Sequence, residues 1–356
     1  MSDEVARTAA KFAARHVAPR AADADHGEPA FPPEVFARGI EAGFDRLVLP
    51  EEAGGSGFAT ADLCALVTAL AETCAGHAMV FGVHAASLRA LWDAGAGDAV
   101  TRVLASGRPL AVAVPEPTPT GDFFASLAFE REGDGGARLT GSAGLAINVG
   151  SPGWRLVFAR DGQGRAAALL LESPDGAVLE PALGLRAMPI AELNADGRVV
   201  AAGDVVAEGG AATALYRSLL RHVSLVAAAA AVGTAGAAHK KALDYAAQRY
   251  QGGRMIVDHS HLREILGRMS GNISAARGAV LHAASPEAAD TAVLGTKASV
   301  TEAAVAACTD AVQALGGYGY MRDYGLEKRM RDAAVLALLP VSNPRAALLV
   351  AAWEKG

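Results

Sequence analysis

The chain has 356 residues, 51% of them hydrophobic and 20% charged, with a formal net charge of −6 at pH 7. That length is too great for one core and implies two or three packed layers or subdomains. The charges lack the clustered Lys and Arg of a nucleic-acid binder, which excludes that class. Ala and Gly dominate, which favours closely packed helices or records a GC-rich genome. The cysteines Cys64, Cys74 and Cys308 are too few and too far apart for a disulfide framework or a zinc site, and read as small core residues.

The N-terminus, Met1-Ser2-Asp3-Glu4, is acidic and leads into a polar helix, the wrong start for a secretory signal. A cytoplasmic chain is therefore expected. Residues 1–107 read as a helical domain. Phe12, His16 and Val17 punctuate a first amphipathic stretch, and Phe31-Pro32-Pro33-Glu34 opens a second helix with proline in its first turn. Leu49-Pro50-Glu51-Glu52-Ala53-Gly54-Gly55-Ser56-Gly57 follows as a flexible loop. As a phosphate cradle it is weak, because no strand leads in and no Gly-Lys-Ser/Thr follows. Residues 62–75 and 77–94 spell two further helices.

The period changes near Arg108. Residues 110–114, 126–130, 155–159 and 167–171 are short runs separated by Gly, Pro and Asp turns, so 108–208 reads as a middle antiparallel β domain. Gly209-Gly210 marks its end.

Residues 209–356 predict a C-terminal four-helix bundle. Leu215, Leu219, Val223 and Val226 recur at helical spacing, and that helix continues through an alanine run toward Tyr245 and Arg249. Its small and apolar run, Leu225 to Ala238, has 14 residues and falls short of a membrane span, so a buried core helix is expected and no membrane partner. Leu262, Leu266, Met269 and Ile273 form a second stripe. Ser285-Pro286-Glu287 reads as an N-cap with proline at the first helical position, starting a third helix that runs to Leu315. That helix stops at Gly316-Gly317, the chain turns through three glycines in four positions, and a charged segment ends in Arg331-Asp332-Ala333. Those glycines either cap and turn the helix or let backbone N–H groups approach a ligand. A fourth helix begins after Asn343-Pro344.

The order of helical domain, β domain and helical bundle, an α+β arrangement, resembles the acyl-CoA dehydrogenase family over nearly the whole chain. Residues 49–57 are similar to the family's Pro-Glu-x-x-Gly-Gly-x-Gly loop, Val114-Pro115-Glu116-Pro117 to its Thr-Glu-Pro segment, and Leu139-Thr140-Gly141 to the strand that follows. Tyr245-Ala246-Ala247-Gln248-Arg249-Tyr250-Gln251-Gly252-Gly253 resembles Tyr-Ala-x-x-Arg-x-Gln-Phe-Gly with its Phe missing. Residues 313–333 resemble the flavin-binding and signature segment.

The resemblance implies oxidation of an acyl-CoA thioester to the trans-2-enoyl-CoA. A carboxylate base takes the α proton, the β hydride passes to N5 of FAD, and an electron-transferring flavoprotein accepts the electrons. It also implies that each FAD is shared between two subunits. Laid on this sequence, the family's base position is Pro340, which cannot take a proton. The alternative base position, on the first bundle helix, falls near His222, Val223 and Ser224, where no carboxylate stands. On the ring side of the flavin site, the family's Thr is Pro115, its Gly-Ser-Asp is Thr120-Gly121-Asp122, and its Trp-Ile-Thr is Leu145-Ala146-Ile147. Arg249, Gln251, Gln313, Gly316 and Gly317 match positions that reach across the dimer to a neighbour's cofactor; alternatively Arg249 and Gln313 only cap or bridge helices.

The chain thus resembles a degenerate subunit of a heteromeric acyl-CoA dehydrogenase, such as those acting on steroid side chains in actinobacteria. The expectation is a dimer or tetramer with a homologous partner whose FAD this chain helps to hold. Two rivals remain: a homomeric flavoenzyme of altered chemistry using Asp122, Glu116 or His222, and a flavin-free scaffold that binds acyl-CoA or a protein.

Overall fold

A computed structural model describes residues 2–27, 33–133, 135–149, 153–173 and 179–355. Phe31 and Pro32 lie outside the described residues, as does the side chain of Leu145. The N-terminal helices are α1 (Ser2–Phe12), α2 (Ala18–His26), α3 (Pro33–Glu41), α4 (Thr60–Ala71), α5 (Ala75–Asp93) and α6 (Gly97–Ala105), with a π turn at Ala13–Val17 between α1 and α2. The expected flexible loop at 49–57 is instead tightly built. Gly55 and Gly57 donate N–H bonds to the carbonyls of Pro50 and Leu49, and a Cβ on Gly55 would collide with the Leu49 carbonyl. Its glycines serve close packing rather than mobility.

The middle of the chain folds into one eight-stranded sheet of β1 (Ala111–Val112), β2 (Leu127–Arg131), β3 (Ala137–Ile147), β4 (Gly153–Arg160), β5 (Ala166–Ser173), β6 (Ile190–Asn194), β7 (Val199–Val200) and β8 (Val205–Glu208). Most pairings are antiparallel, but β1 and β2 each run parallel to β4 while pairing antiparallel with β3. Those two parallel pairings depart from the all-antiparallel expectation. They arise because β1 bridges β3 and β4 at one end and β2 bridges them at the other. Strand β4 is buried on both faces: Leu156 and Phe158 pack toward the helices, while Val157 and Ala159 join a second core with Leu139, Leu169 and Leu171. That two-sided burial explains the continuous apolar run at 156–159 within it.

The C-terminal helices are α7 (Gly209–Gln248), α8 (Ser260–Ala283), α9 (Asp290–Leu315), α10 (Leu326–Leu336) and α11 (Asn343–Lys355), with a hairpin of β9 (Tyr250–Gln251) and β10 (Arg254–Met255). Two expectations are corrected. The third long helix starts at Asp290, not at Ser285, whose hydroxyl serves a turn at Glu287. The charged segment before Ala333 is itself a helix, α10, which its low hydrophobicity concealed.

Helix α7 is the axis of the molecule and packs on α4, α5, α8 and α9. By length and composition it could cross a membrane, yet 83% of its most apolar window is buried inside the chain. Ala227–Ala231 are all fully buried, and small residues on the facing helices permit the close approach. A Cβ on Gly82 of α5 would strike Val226, and one on Gly233 would strike the Thr68 carbonyl of α4.

Candidate functional site

Three segments carry the residues singled out by sequence. The first is the loop between α10 and α11, which holds Pro340. Lys297 of α9 reaches into it, fully buried, and donates to the Ala337 carbonyl at 2.9 Å, the Val341 carbonyl at 2.6 Å and Asn343 Oδ1 at 2.8 Å. Thr301, one turn along α9, donates to the same Asn343 oxygen at 3.0 Å. Burial pushes the Lys297 pKa down to about 7. Its three acceptors are satisfied together only by the ammonium form. Sequence reasoning missed Lys297. The signal was a lone lysine in the stripe Leu294, Lys297, Val300, Ala304, where a cation has no place unless it is fully hydrogen-bonded.

The second segment is the loop 115–124, which is clamped from two helices. Tyr216 of α7 donates its hydroxyl to the Pro115 carbonyl at 3.0 Å, and its ring packs with Phe123 and Phe158 at centroid distances of 5.0 and 5.6 Å. From α11, Arg345 donates to the Pro117 carbonyl at 2.7 Å and pairs with Glu116 at 3.3 Å, and Trp353 Nε1 donates to the Pro119 carbonyl at 2.9 Å. Since α11 begins three residues after Pro340, the loop that holds Pro340 and the loop 115–124 are tied to one element.

The substitute bases fare poorly. Asp122 is paired with Arg160 at 2.5 Å and accepts from Thr213 at 3.2 Å, and Glu116 is held by Arg345. His222 is half-buried, with Nδ1 2.8 Å from the Ser218 carbonyl, and burial pushes its pKa down. On the ring side, Ala146 and Ile147 are buried at the end of β3, with Ile147 opposite Val112. Neither offers a hydroxyl or an aromatic face. Asn148 follows with φ 64° and is buried, its amide donating to the Val80 and Leu110 carbonyls.

The third segment lies at the far end of α7. Arg249, Gln251, Gln313, Gly316 and Gly317 are all exposed there. The Arg249 guanidinium lies 5.9 Å from the Tyr318 ring, so the structure brings Arg249 beside the Gly316–Tyr318 turn, with Gln251 on the adjoining hairpin. Gly316 has φ 58° and ψ −135°, a backbone state open essentially to glycine alone. Both Gly316 and Gly317 face open space, whereas a Cβ on Gly319 would collide with the Val312 carbonyl. Tyr250, Tyr318 and Tyr320 are exposed around this turn at 63%, 48% and 67%. An exposed guanidinium, an open Gly-Gly backbone and uncovered aromatic rings suit the phosphates and base of a dinucleotide. The side chains of Ala146 and Ile147 do not suit its redox ring.

Sequence profiles described as the acyl-CoA dehydrogenase N-terminal and C-terminal domains match residues 2–105 and 209–339. A 3-sulfinopropanoyl-CoA desulfinase of Paraburkholderia xenovorans is 30% identical over 94% of this chain and 91% of its own length. The chain belongs to the acyl-CoA dehydrogenase family. A probable acyl-CoA dehydrogenase of Mycobacterium leprae is 28% identical over 96% of this chain and 92% of its own length. Butyryl-CoA dehydrogenase from Megasphaera elsdenii superposes with a TM-score of 0.91, covering 100% of this chain and 98% of that one at 23% identity, a likeness of fold. Among acyl-CoA dehydrogenases the cofactor is FAD.

Proposed function

We propose that the chain, organised as units 1–107, 108–208 and 209–356, is a catalytically incomplete acyl-CoA dehydrogenase subunit. It completes the FAD site of a homologous partner. The observation that carries this reading is an asymmetry. The five residues matched to the donated half-site are exposed at one end of α7. Away from them, Pro340 stands at the position matched to the base, and Ala146 and Ile147 are buried in the core.

In this reading Arg249 and the Gly316-Gly317 backbone hold the partner's pyrophosphate, while Gln251 and Gln313 supply amide contacts. The bound FAD supplies hydride acceptance in the partner, and an electron-transferring flavoprotein drains it. The complex is a dimer or tetramer acting on an acyl-CoA of lipid or steroid metabolism in the cytoplasm. Co-expression with a homologue that carries the Glu base and the Trp-x-Thr segment tests the proposal by visible absorbance. A yellow complex and a colourless lone chain are expected. Stoichiometric FAD and enoyl-CoA formation by the lone chain would overturn it.

One comparison favours a second reading, a homomeric flavoenzyme of altered chemistry. The desulfinase relative bears the name of a reaction other than dehydrogenation. Flavin bands in the lone chain without enoyl-CoA formation would select this reading over the first.

A further inference from the structure

A groove of about 910 Å³ runs along the C-terminal half of α7, walled by α4, α8 and α10. Three cations from three different helices line it: Lys241 of α7, Arg277 of α8 and Arg329 of α10. Among the described residues none of the three is ion-paired, because the nearby carboxylates are taken up elsewhere. Asp244 pairs with Lys240 at 3.5 Å, and the two oxygens of Asp332 accept from Lys328 and from the Leu185 N–H, each at 2.6 Å. Glu72 is the one carboxylate lining the groove without an ion pair among the described residues. An adjoining cavity of about 250 Å³ shares Thr73, Lys241, Tyr324 and Arg329 with the groove. There the exposed Arg322 and Asp323 offset each other in charge, and Asp25 and Glu327 are held by Arg331.

The cations are held in place rather than left to solvent. Arg329 is half-buried, and its Nη2 donates to the main-chain carbonyl of Glu72 at 2.7 Å, which fixes the guanidinium at the groove wall. The Lys241 ammonium lies 5.9 Å from the centroid of the Tyr324 ring. Burial, and then the like charge of Arg329, push its pKa down. Two cations held near one another repel, and an anion placed between them turns that cost into attraction. A guanidinium fork beside an ammonium is the donor set that phosphate oxygens require. Three such groups on three helices reach further than one phosphate. None of Arg249, Gln251, Gln313, Gly316 and Gly317 lines the groove, so it is separate from the surface assigned to the partner's cofactor.

We infer that this groove is a binding site for the diphosphate group of a small metabolite, with Lys241 and Arg329 on one phosphate and Arg277 on the other. Glu72 is the opposing charge that limits the affinity. The inference goes beyond the proposed subunit role and stands without it.

Isothermal titration calorimetry of the whole chain with inorganic pyrophosphate, at constant ionic strength, tests the site. Saturable binding of one pyrophosphate per chain is expected, at least tenfold tighter than that of sulfate. Lys241 and Arg277 are exposed, so Lys241→Met and Arg277→Ala should fold normally by circular dichroism while each weakens binding about tenfold. Glu72→Gln keeps the main-chain carbonyl that Arg329 uses and should tighten binding about threefold. Arg249→Ala should leave the affinity within about twofold of wild type. Titration with ADP identifies the source of the group: tighter binding than pyrophosphate assigns a nucleotide, weaker binding assigns free pyrophosphate. No saturable binding, an affinity equal to that of sulfate, unchanged affinity in both Lys241→Met and Arg277→Ala, or loss of binding in Arg249→Ala would overturn the inference.

Discussion

The ammonium of Lys297 lies 2.6 Å from the carbonyl oxygen of Val341, the residue that follows Pro340. With Ala337 and Asn343 it forms a buried three-pronged clasp on the loop that holds Pro340. Lys297→Met keeps the volume and removes all three charge-assisted bonds, leaving the Val341 carbonyl without its donor while Asn343 Oδ1 keeps Thr301 and the Ala337 carbonyl keeps the Asn343 N–H. A loss of about 2–4 kcal/mol is expected. Urea unfolding measures it, and a loss below about 1 kcal/mol would contradict the clasp.

The Cys74 thiol, with Lys328 Nζ 3.6 Å from its sulfur favouring the thiolate, makes stability depend on pH with a defined sign. Its folded-state pKa of about 6 lies below the ordinary 9.0 of the unfolded chain. Between those values the unfolded chain holds the extra proton, so stability rises from pH 6 to 9 and is lost as pH falls through 6. Unfolding midpoints of wild type and Cys74→Ala at pH 6 and 8.5 isolate the contribution. The difference between the two proteins is expected to widen toward pH 8.5, by up to about 3 kcal/mol at about 1.4 kcal/mol per unit. A constant difference would refute the thiolate.

Tyr216→Phe removes the hydroxyl that donates to the Pro115 carbonyl while keeping the aromatic packing. About 1 kcal/mol of stability is expected to go, with faster amide exchange confined to 115–124. Uniformly faster exchange across the chain would mean that Tyr216 acts on global stability and does not clamp the loop.

Arg249→Ala changes an exposed side chain at the end of α7, so the stability of the lone chain should stay within about 0.5 kcal/mol of wild type. In the complex with the homologous partner, flavin content after gel filtration should fall at least tenfold. Retention of full flavin would detach Arg249 from cofactor binding.

Gly319→Ala tests the turn itself. The new Cβ meets the Val312 carbonyl, which belongs to the last turns of α9 and has little room to move. A cost of about 2 kcal/mol or more is expected, read as a lower melting temperature. At Gly316 the cost of alanine is instead conformational, set by φ 58° in open space.

Long, strongly periodic helices were legible from the chain, because the stripe from Leu215 to Val226 reports burial directly. Strands β6, β7 and β8 escaped notice because they are two to five residues long, too short for a period of two to stand out. Helix α10 was hidden by its own site chemistry. Lys328, Arg329, Arg331 and Asp332 face partners on distant elements, such as Asp25 at 2.7 Å from Arg331, and so read as solvated charge. The same long-range pairing hid Lys297 and Cys74. A cysteine read as a small core residue is indeed buried, but its neighbour Lys328 is 254 positions away. Arg249, Gln251 and Gln313 were legible only through motif resemblance, since nothing in their local spacing distinguishes a ligand contact from a surface residue.

Tyr216 and Arg249 are 33 positions apart along α7 and its end, about 50 Å at the helical rise. A single helix therefore spaces the clamp on one loop from the exposed guanidinium. Over that distance no contact is shared, so substitutions at the two ends should combine additively. Helix α7 thus works as a spacer between a clamped loop at one end and an open surface at the other, and each end can vary in sequence without disturbing the other.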